Sequence, residues 1–519
     1  MFYYCFCLFL LAIFFFFLLS TLFHDLKKSN NGWQRILLCI VLALVFKYDF
    51  GTIFCGMEYE DAYAFSFLAR EFSNGLYTSS FLSEGIGIGS LDNPIMMQTY
   101  GGHFITYSAL LSLPVRLFGF SFSVISLTTC FLQFLVLLLL SVFPRIDGQY
   151  KWMIAPIVYC ISPIINVFGN TFLCEPFSGL IVISFVYLFY YQKKERNNPY
   201  PMLIALFVAI LTKRENLVLI ALPIIHYSYL VYKERALFHK NDLYSLTLIF
   251  LLLVVYICMI QNVLDIESTE AQDIETSTFS FSYFTRLAPV FIKSMCNPFF
   301  FGVTTILLFI ILAISFYNKS IQLDSIAVLC IWLLYFFSYT SHYRGYFFIQ
   351  GQNACAFDTF RYLNNYYCLT TIIISMIIAK MRIDKYIPSI LILLSVFSLY
   401  QTFTLRNTFS EEEWVNRFSA PQKTLDILEN ERLLSKSVII SPDILTLQNL
   451  GNNSLFVCDA FNYNLLDFNM DGVNYYFLCR DGDVEYLKKR FGLNVDMNRW
   501  SIIAYLGTGY CLYKYELFN

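Results

Sequence analysis

The chain has 519 residues, of which 57% are hydrophobic and only 14% are charged. A water-soluble globule could hardly cover so much apolar surface, so the composition excludes a soluble protein and favours one whose main solvent is a lipid bilayer. The formal net charge is −2, which excludes the overall basic field typical of nucleic-acid-binding proteins. We therefore predict a polytopic membrane protein.

Apolar stretches long enough to cross about 30 Å of hydrocarbon recur along the chain. The first of them, Met1 to Ser20, has no basic region before it and no small-residue cleavage site, so we expect a retained span rather than a cleaved signal peptide. In total about twelve transmembrane helices are predicted. They lie at residues 3–22, 34–50, 121–143, 152–170, 176–192, 200–212, 216–232, 243–261, 299–317, 322–340, 367–380 and 386–403.

Lysine and arginine gather in alternate short loops between these spans. These residues are Lys27, Lys28 and Arg35; Arg145 and Lys151; Lys193, Lys194 and Arg196; Lys233, Arg235 and Lys240; Lys319; and Lys380, Arg382 and Lys385. By the positive-inside rule these loops are cytoplasmic. The extracytoplasmic parts are then residues 51–120, 171–175, 262–298 and 341–366 and everything after about 404.

The composition changes after residue 404, where short β-branched runs such as Ser437–Ser441 and Trp500–Ala504 alternate with Asn, Asp and Gly turns. This pattern is typical of a small mixed α/β domain. We therefore predict two domains: a transmembrane domain, 1–403, that includes the first outer loop 51–120, and an extracytoplasmic α/β domain, 404–519.

Three cysteines, Cys458, Cys479 and Cys511, lie in this second domain. Two of them can form a disulfide if the domain faces an oxidising compartment, and their spacing does not choose the pair.

An acidic cluster follows the second span at the start of the first outer loop. It consists of Glu58, Glu60 and Asp61, and an amphipathic helix is predicted directly after it, from Ala62 to Gly75. Carboxylates in this place can accept a proton from an alcohol, bind a metal, or simply favour a helix N-terminus. The cluster alone leaves these interpretations open.

The segment from Asp61 to Glu71 resembles the first-loop motif of GT-C glycosyltransferases. The closest likeness is to the branch of lipid A aminoarabinose transferases and protein O-mannosyltransferases, in which an Asp is followed by an aromatic residue and by Ala/Ser-Arg-Glu. The matching residues are Asp61, Phe65, Ala69, Arg70 and Glu71. The resemblance implies an all-α polytopic membrane protein with a GT-C-like fold.

Four further segments resemble motifs of this family, in the same order. Gly102–Gly119 is similar to the Lys/His-Pro-Pro-Leu-Tyr stretch, with His103 at the basic position and Phe104 and Ile105 where the prolines usually stand. A histidine that caps a juxtamembrane helix is the alternative there. Glu175-Pro-Phe177 is similar to the Asp/Glu-Pro-Leu motif, and an interfacial N-cap is the alternative.

The segment Leu211–Pro223 resembles the Leu-Thr-Lys-Gly-Pro turn, with Lys213 and Arg214 as candidate phosphate contacts and snorkelling side chains as the alternative. Arg361 and Tyr362 match an Arg-Tyr motif that precedes a late span, and an arginine there suits a phosphate.

The resemblance implies an inverting transfer of a sugar from a polyprenyl-phosphate-linked donor to a glycan, lipid or protein acceptor. Asp61 would be the general base and Glu175 would help to orient the acceptor, a water or a metal, while Arg361 with Lys213 or Arg214 would neutralise the lipid phosphate. The remaining implied substrate contacts are Glu60, His103, Arg214 and Tyr362. No certain cofactor is implied, a divalent cation is an open option, and no nucleic-acid partner is expected. The expected location is the bacterial inner membrane, with the site on the outer face.

Two alternatives remain. A multi-span flippase or transporter would have ionisable residues in mid-span and two related halves, whereas the spans here are nearly free of charge and the halves look unlike. A catalytically inactive GT-C relative is kept open by the altered proline motif.

Overall fold

The computed structural model describes a helical membrane protein with a small C-terminal sheet. The described residues are 2–29, 31–49, 60–75, 86–90, 93–96, 105–143, 151–161, 174–195, 199–234, 240–259, 280–296, 304–318, 322–341, 364–381, 411–433, 437–442, 456–460, 472–507 and 509–516, together with single residues or pairs between 386 and 400 and between 447 and 468. By internal contacts the chain divides into two compact units. The helical unit is Met1–Gly51, Phe104–Leu110 and Ser123–Phe409, and the second unit is Thr52–His103, Leu111–Phe122 and Ser410–Asn519.

The helices of the described chain are α1 Phe2–Lys28, α2 Gly32–Asp49, α3 Glu60–Ser73, α4 Thr106–Phe118, α5 Phe122–Val142, α6 Ile154–Ile161, α7 Glu175–Glu195, α8 Tyr200–Ile210, α9 Ala221–Glu234, α10 Lys240–Met259, α11 Phe281–Met295, α12 Thr304–Tyr317, α13 Leu323–Thr340, α14 Asn364–Lys380, α15 Glu411–Asn430 and α16 Asp483–Phe491. Short 3-10 helices add Lys151–Met153, Arg214–Ile220 and Met497–Arg499.

The all-α polytopic architecture predicted from the sequence is confirmed. Three helices of the described chain are long and apolar enough to cross a membrane, namely Phe2–Lys28, Ser123–Val142 and Leu323–Thr340. Shorter apolar helices occupy Gly32–Leu44, Glu175–Tyr191, Tyr200–Ile210, Leu243–Cys258 and Thr304–Tyr317. Each of these helices coincides with a predicted span, because unbroken apolar runs are the strongest signal that a membrane sequence contains.

Helix α11 was not predicted, because it lies inside a segment that was read as an acidic outer loop. Its buried residues are spaced as one face of a helix: Leu287, Ala288, Phe291 and Met295. Charged and proline residues between them, such as Arg286 and Pro289, interrupt the apolar run that a search for spans detects. The periodicity of about 3.6 residues was the available signal.

The core of the helical unit is built around α7 and α14. Residues 364–378 of α14 are all buried, and a Cβ atom placed on Gly179 of α7 would come within 2.9 Å of the Asn364 Nδ2 atom and 3.0 Å of the Cys368 Sγ atom. A glycine at position 179 therefore permits the close approach of these two helices.

Several helix ends of this unit meet at the side where the basic loops lie. Tyr187 donates a hydrogen bond of 2.8 Å to the Asp25 carboxylate, and Tyr190 donates one of 3.0 Å to the Asp324 carbonyl. The Arg35 guanidinium donates to the carbonyl oxygen of Ser141. We call this group of helix ends the basic end of the unit.

The second unit contains a five-stranded sheet with the order β4-β3-β5-β7-β6. Its strands are β3 Ser437–Ser441, β4 Phe456–Asp459, β5 Asn474–Arg480, β6 Trp500–Gly507 and β7 Tyr510–Tyr515, while β1 Ile86–Ser90 and β2 Asn93–Met96 form a separate hairpin. β3 pairs in parallel with β4 and β5, and β7 pairs antiparallel with β5 and β6. The small C-terminal α/β region predicted from the sequence is confirmed.

One strand pair bears on the cysteines of this unit. Cys479 of β5 lies directly opposite Cys511 of β7 in the antiparallel register, and both side chains are buried free thiols. Cys458 lies on β4, at the register position of Ile440. Of the three cysteines, the register therefore brings Cys479 and Cys511 together.

Candidate functional site

A buried ion pair joins two of the segments that the sequence singles out. Glu175 is the first residue of α7, and Lys213 adopts an extended conformation just before the 3-10 helix that follows α8. The Lys213 Nζ atom lies 2.9 Å from the Glu175 Oε1 atom, and the two side chains are only 12% and 4% exposed. The fold therefore brings together two charged groups that are 38 residues apart.

A second carboxylate extends this pair. The Lys213 ammonium lies 3.8 Å from the Glu215 Oε1 atom, and that oxygen accepts a 2.9 Å hydrogen bond from the Tyr339 hydroxyl. Burial acts to lower the pKa of Lys213, but the neighbouring Cys174 and Glu175 outweigh it and raise that pKa above its ordinary value. The ammonium therefore stays charged at neutral pH and is shared between two carboxylates.

Asn216 is the centre of a second set of hydrogen bonds beside this triad. Its Oδ1 atom accepts bonds of 2.7 Å from the Tyr335 hydroxyl and 2.9 Å from Asn365 Nδ2. Its Nδ2 atom donates to the Ala209 carbonyl at 2.8 Å and to Ser178 Oγ at 3.4 Å. One fully buried amide thus ties four segments of the helical unit together: α7, α8, α13 and α14.

Three buried carboxylate or amide oxygens at this end have no hydrogen-bond partner among the described residues. They are Glu175 Oε2, Asn364 Oδ1 and Asn365 Oδ1. Asn364 is held beside Glu175, since its Nδ2 atom donates to the Glu175 carbonyl at 2.7 Å. Buried acceptors without donors cost free energy, so these oxygens are open to a donor group. We call the residues from Glu175 to Asn365 that make these contacts the polar end of the unit.

In the second unit, helix α3 contains the first-loop motif. Phe65 and Ala69 are buried, and the Arg70 guanidinium lies over the rings of Phe67 and Phe120 at 5.0 and 5.5 Å. Arg70 Nε also lies 3.7 Å from the Glu71 Oε1 atom. Burial raises the pKa of the Glu71 carboxyl against the opposing effect of Arg70. The Arg-Glu part of the motif is thus anchored inside its own unit.

The remaining predicted site residues lie wholly or partly outside the described residues. Glu60 and Asp61 belong to the first turn of α3, and Arg214 begins the 3-10 helix, but their side chains lie outside the described part of the chain. His103, Arg361 and Tyr362 lie outside it entirely. Of the predicted residues, the described structure therefore brings together Glu175 and Lys213.

Sequence reasoning missed six residues of the polar end: Glu215, Asn216, Tyr335, Tyr339, Asn364 and Asn365. Four of them stand directly beside motif residues, in Lys-Arg-Glu-Asn216 and in Arg-Tyr-Leu-Asn-Asn365. Polar residues that interrupt an apolar stretch were the signal for these four. Tyr335 and Tyr339 are four residues apart on one face of an apolar helix, which resembles ordinary packing.

Within the described residues, no group of three or more His, Cys, Asp or Glu side chains is arranged to hold a metal ion.

No protein-family model matches the sequence, and no curated protein matches it either. Solved structures do match the fold. ArnT from Cupriavidus metallidurans bound to undecaprenyl phosphate aligns over 94% of this chain and 98% of its own, with 11% identity and a TM-score of 0.59. The apo state of the same protein aligns over 93% and 98%, with 12% identity and a TM-score of 0.55. The chain therefore shares the fold of ArnT, and the fold implied by the resemblance is confirmed.

Proposed function

We propose that this protein is an integral membrane glycosyltransferase that transfers a sugar from a polyprenyl-phosphate-linked donor to an acceptor on the extracytoplasmic face. The observation that carries the proposal is the buried Glu175–Lys213 pair at 2.9 Å, because it joins two motifs that resemble those of GT-C enzymes. A fold shared with ArnT over nearly the whole of both chains supports it. The bound undecaprenyl phosphate of that ArnT structure is the class of lipid that we assign to the donor.

The reaction needs one base and a stabilised leaving group. In the proposed single displacement, Asp61 accepts the proton of the acceptor hydroxyl while the acceptor oxygen attacks the anomeric carbon. The bond between that carbon and the phosphate oxygen breaks, the configuration inverts, and the lipid phosphate leaves with the bonding electrons. Arg361 and Arg214 neutralise the phosphate. Without these cations, release of the negatively charged phosphate into a medium of low dielectric constant would be costly.

The contacts of Lys213 refine its role in this proposal. Two carboxylates, Glu175 and Glu215, already surround its ammonium at 2.9 and 3.8 Å. Those three side chains together have a formal charge of −1, which does not attract a phosphate. We therefore assign to Lys213 the task of holding the Glu175 side chain in place, and we assign phosphate binding to the two arginines.

The unpartnered oxygens support a binding role for Glu175. Its Oε2 atom and the Oδ1 atom of Asn364 are buried acceptors, and hydroxyl groups are donors that satisfy such acceptors. We propose that Glu175 orients a sugar or acceptor hydroxyl in this place. Glu60, His103 and Tyr362 complete the proposed substrate contacts.

The proposed location is the bacterial inner membrane, with the basic end facing the cytoplasm. Tyr187 and Asp25 at that end lie beside the basic loops, whereas Glu175 and Lys213 lie beside the opposite set of loops. A lipid-linked donor suits this side of the membrane, because nucleotide sugars are cytoplasmic.

The test is turnover by the purified protein with radiolabelled polyprenyl-phosphate-sugar donors and extracts of acceptors. Asp61→Asn keeps the size of the side chain but removes the base, and it should lower the transfer rate about 10²- to 10⁴-fold. Arg361→Ala should lower it as well, because the leaving phosphate loses a cation. Glu485→Gln, which changes an exposed carboxylate of α16, is the matched control and should leave turnover unchanged.

Two outcomes would contradict the proposal. Full activity of Asp61→Asn at matched expression and folding would exclude that residue as the base. Absence of turnover with every donor, together with retained binding of polyprenyl phosphate, would favour an inactive relative or a lipid flippase.

A further inference from the structure

Helix α11 has two faces of different character. One face packs into the helical unit through residues that include Leu287, Phe291 and Met295. The other face is exposed and includes Phe281 and Ile292, with exposed fractions of 66% and 43%. A helix with this division lies at a boundary between two environments.

The contacts at both ends of α11 define that boundary. The backbone N–H of Ser280, just before α11, donates to the carbonyl of Ser341 at 2.9 Å, and Ser341 directly follows the membrane-spanning helix α13. The rings of Phe284 and Phe337 lie 5.2 Å apart. The helix therefore begins at the level where α13 ends.

At its other end, α11 reaches the start of a different helix. Cys296, which follows α11, lies within electrostatic range of Tyr366 and Tyr367, in the first turn of α14. Both ends of α11 are thus close to the same end of the bundle. The helix therefore lies beside helix ends, and the end of a membrane-spanning helix lies where the hydrocarbon of a bilayer meets its headgroups.

The exposed face also has two cations. Arg286 and Lys293 are exposed and seven residues apart, which places them on the same side of a helix. Neither forms an ion pair with another residue of the described chain. The helix sequence contains no Asp or Glu, so this face has a formal charge of +2.

The combination of cations and exposed apolar groups on α11 indicates which kind of molecule binds this face. Headgroups of anionic phospholipids present phosphates to Arg and Lys while their acyl chains accept apolar side chains such as Phe281 and Ile292. The lipid is already adjacent, since α11 packs against a spanning helix. A soluble acidic protein would match the charge, but it would leave the apolar groups at the bilayer surface without a role.

We propose that α11 is an interfacial docking surface for anionic phospholipid headgroups, with Arg286 and Lys293 as the phosphate-binding residues. This site is separate from the polar end and does not depend on the reaction proposed above. It ties the bundle to a membrane surface of negative charge.

The test uses the full-length protein in detergent, with native mass spectrometry of bound phosphatidylglycerol against phosphatidylcholine. Arg286→Gln/Lys293→Gln should lower the preference for phosphatidylglycerol about fivefold for each basic side chain, which corresponds to ~1 kcal/mol for a cation near an anionic surface. Added salt should lower the preference of the wild type in the same direction. Lys488→Gln/Lys489→Gln, which removes the same charge from exposed positions of α16, should retain it.

The proposal is overturned if the α11 variant keeps the wild-type lipid preference, as it would if the acidic segment 262–279 neutralised these cations. It is also overturned if the α16 variant loses as much of the preference as the α11 variant. Both substitutions change exposed side chains, so an unchanged thermal midpoint in detergent serves as the folding check. Arg286→Lys in the wild-type chain keeps the positive charge and should therefore retain most of the preference for phosphatidylglycerol.

Discussion

The basic end and the polar end of the helical unit are both buried, but more of the hydrogen bonds at the polar end join two side chains. At the basic end one such bond runs from Tyr187 to the Asp25 carboxylate. At the basic end, Arg35 and Tyr190 donate to backbone carbonyl groups of distant segments. At the polar end, Lys213, Tyr339 and Asn365 bond to side chains of other segments.

A carbonyl acceptor is present whatever residue occupies the position, so the bonds that Arg35 and Tyr190 donate tolerate substitution of the accepting residue. A network between side chains requires a specific residue at every point. When one of these residues is substituted, its former hydrogen-bond partner stays buried without a bond and pays the full cost of desolvation. Within the described chain both ends contain buried polar atoms without a hydrogen-bond partner, but the one at the basic end, Arg35 Nε, is a donor, whereas Glu175 Oε2 and the Oδ1 atoms of Asn364 and Asn365 at the polar end are acceptors. This difference teaches that the polar end offers acceptors to a donor group, which the basic end does not.

The largest effect is expected at Lys213. Lys213→Met removes the ion-pair partner that Glu175 has within the described chain, and loss of one partner of a buried pair costs about 3–5 kcal/mol of the free energy of unfolding. Lys423→Met, which loses a 2.9 Å bond to the Leu506 carbonyl, should cost only about 1 kcal/mol. Unfolding in detergent measures both.

A double variant sharpens this result. Lys213→Met/Glu175→Gln removes the buried charge as well, so it should regain part of the lost stability. If Lys213→Met were no worse than Lys423→Met, the polar end would not depend on its ion pair.

The next effect concerns the centre of the network. Asn216→Ala leaves the Tyr335 hydroxyl and the Asn365 amide without their shared acceptor, and it should lower the free energy of unfolding by about 2–3 kcal/mol. A double-mutant cycle with Tyr335→Phe measures the coupling. Strict additivity of the two changes would show that the bonds seen at Asn216 Oδ1 are energetically independent.

A smaller effect is expected from Gly179→Ala. The added methyl group would lie 2.9 Å from Asn364 Nδ2, and such overpacking costs about 1–3 kcal/mol. Ser184→Ala in the same helix loses only a bond to the Leu180 carbonyl and is the control. Equal thermal midpoints for the two variants would contradict the close approach of α7 and α14.

The smallest effect on stability gives the most direct comparison of the two ends. Tyr187→Phe and Tyr339→Phe each remove a hydroxyl that donates to a carboxylate, at 2.8 Å to Asp25 and at 2.9 Å to Glu215. Each should cost about 1–2 kcal/mol. Only Tyr339→Phe should change sugar transfer, measured as kcat/KM in the turnover assay. Loss of transfer in both variants, at matched folding, would remove the distinction between the ends.

The sequence was sufficient for the helical architecture because apolar runs such as Phe2–Lys28 signal their state without knowledge of their neighbours. The strand Ser437–Ser441 was equally evident, since β-branched residues between turn residues favour a strand. Helix α11 was missed because its apolar face is interrupted by Arg286, and only its periodicity indicated a helix.

The site was harder to predict than the fold. Glu175 and Lys213 were found because each lies in a segment that resembles a GT-C motif, and the Lys213 segment also interrupts an apolar stretch with charges. Their contact was not predictable from spacing, because 38 residues and two helices separate them. Tyr339 could not be predicted from the sequence, because a tyrosine in an apolar helix is common. Only the hydrogen bond of its hydroxyl to Glu215 distinguishes it.

The order of strands in the C-terminal sheet determines when each pair of strands can form during synthesis of the chain. β7 follows β6 along the chain but lies between β5 and β6 in the sheet. While β6 leaves the ribosome or the translocon, its partner has yet to be made, and the edge of β5 stays open. A nascent chain that stopped before Tyr510 would expose both unpaired edges, which are ready templates for aggregation. Quality control of this protein therefore depends on the arrival of a single late strand.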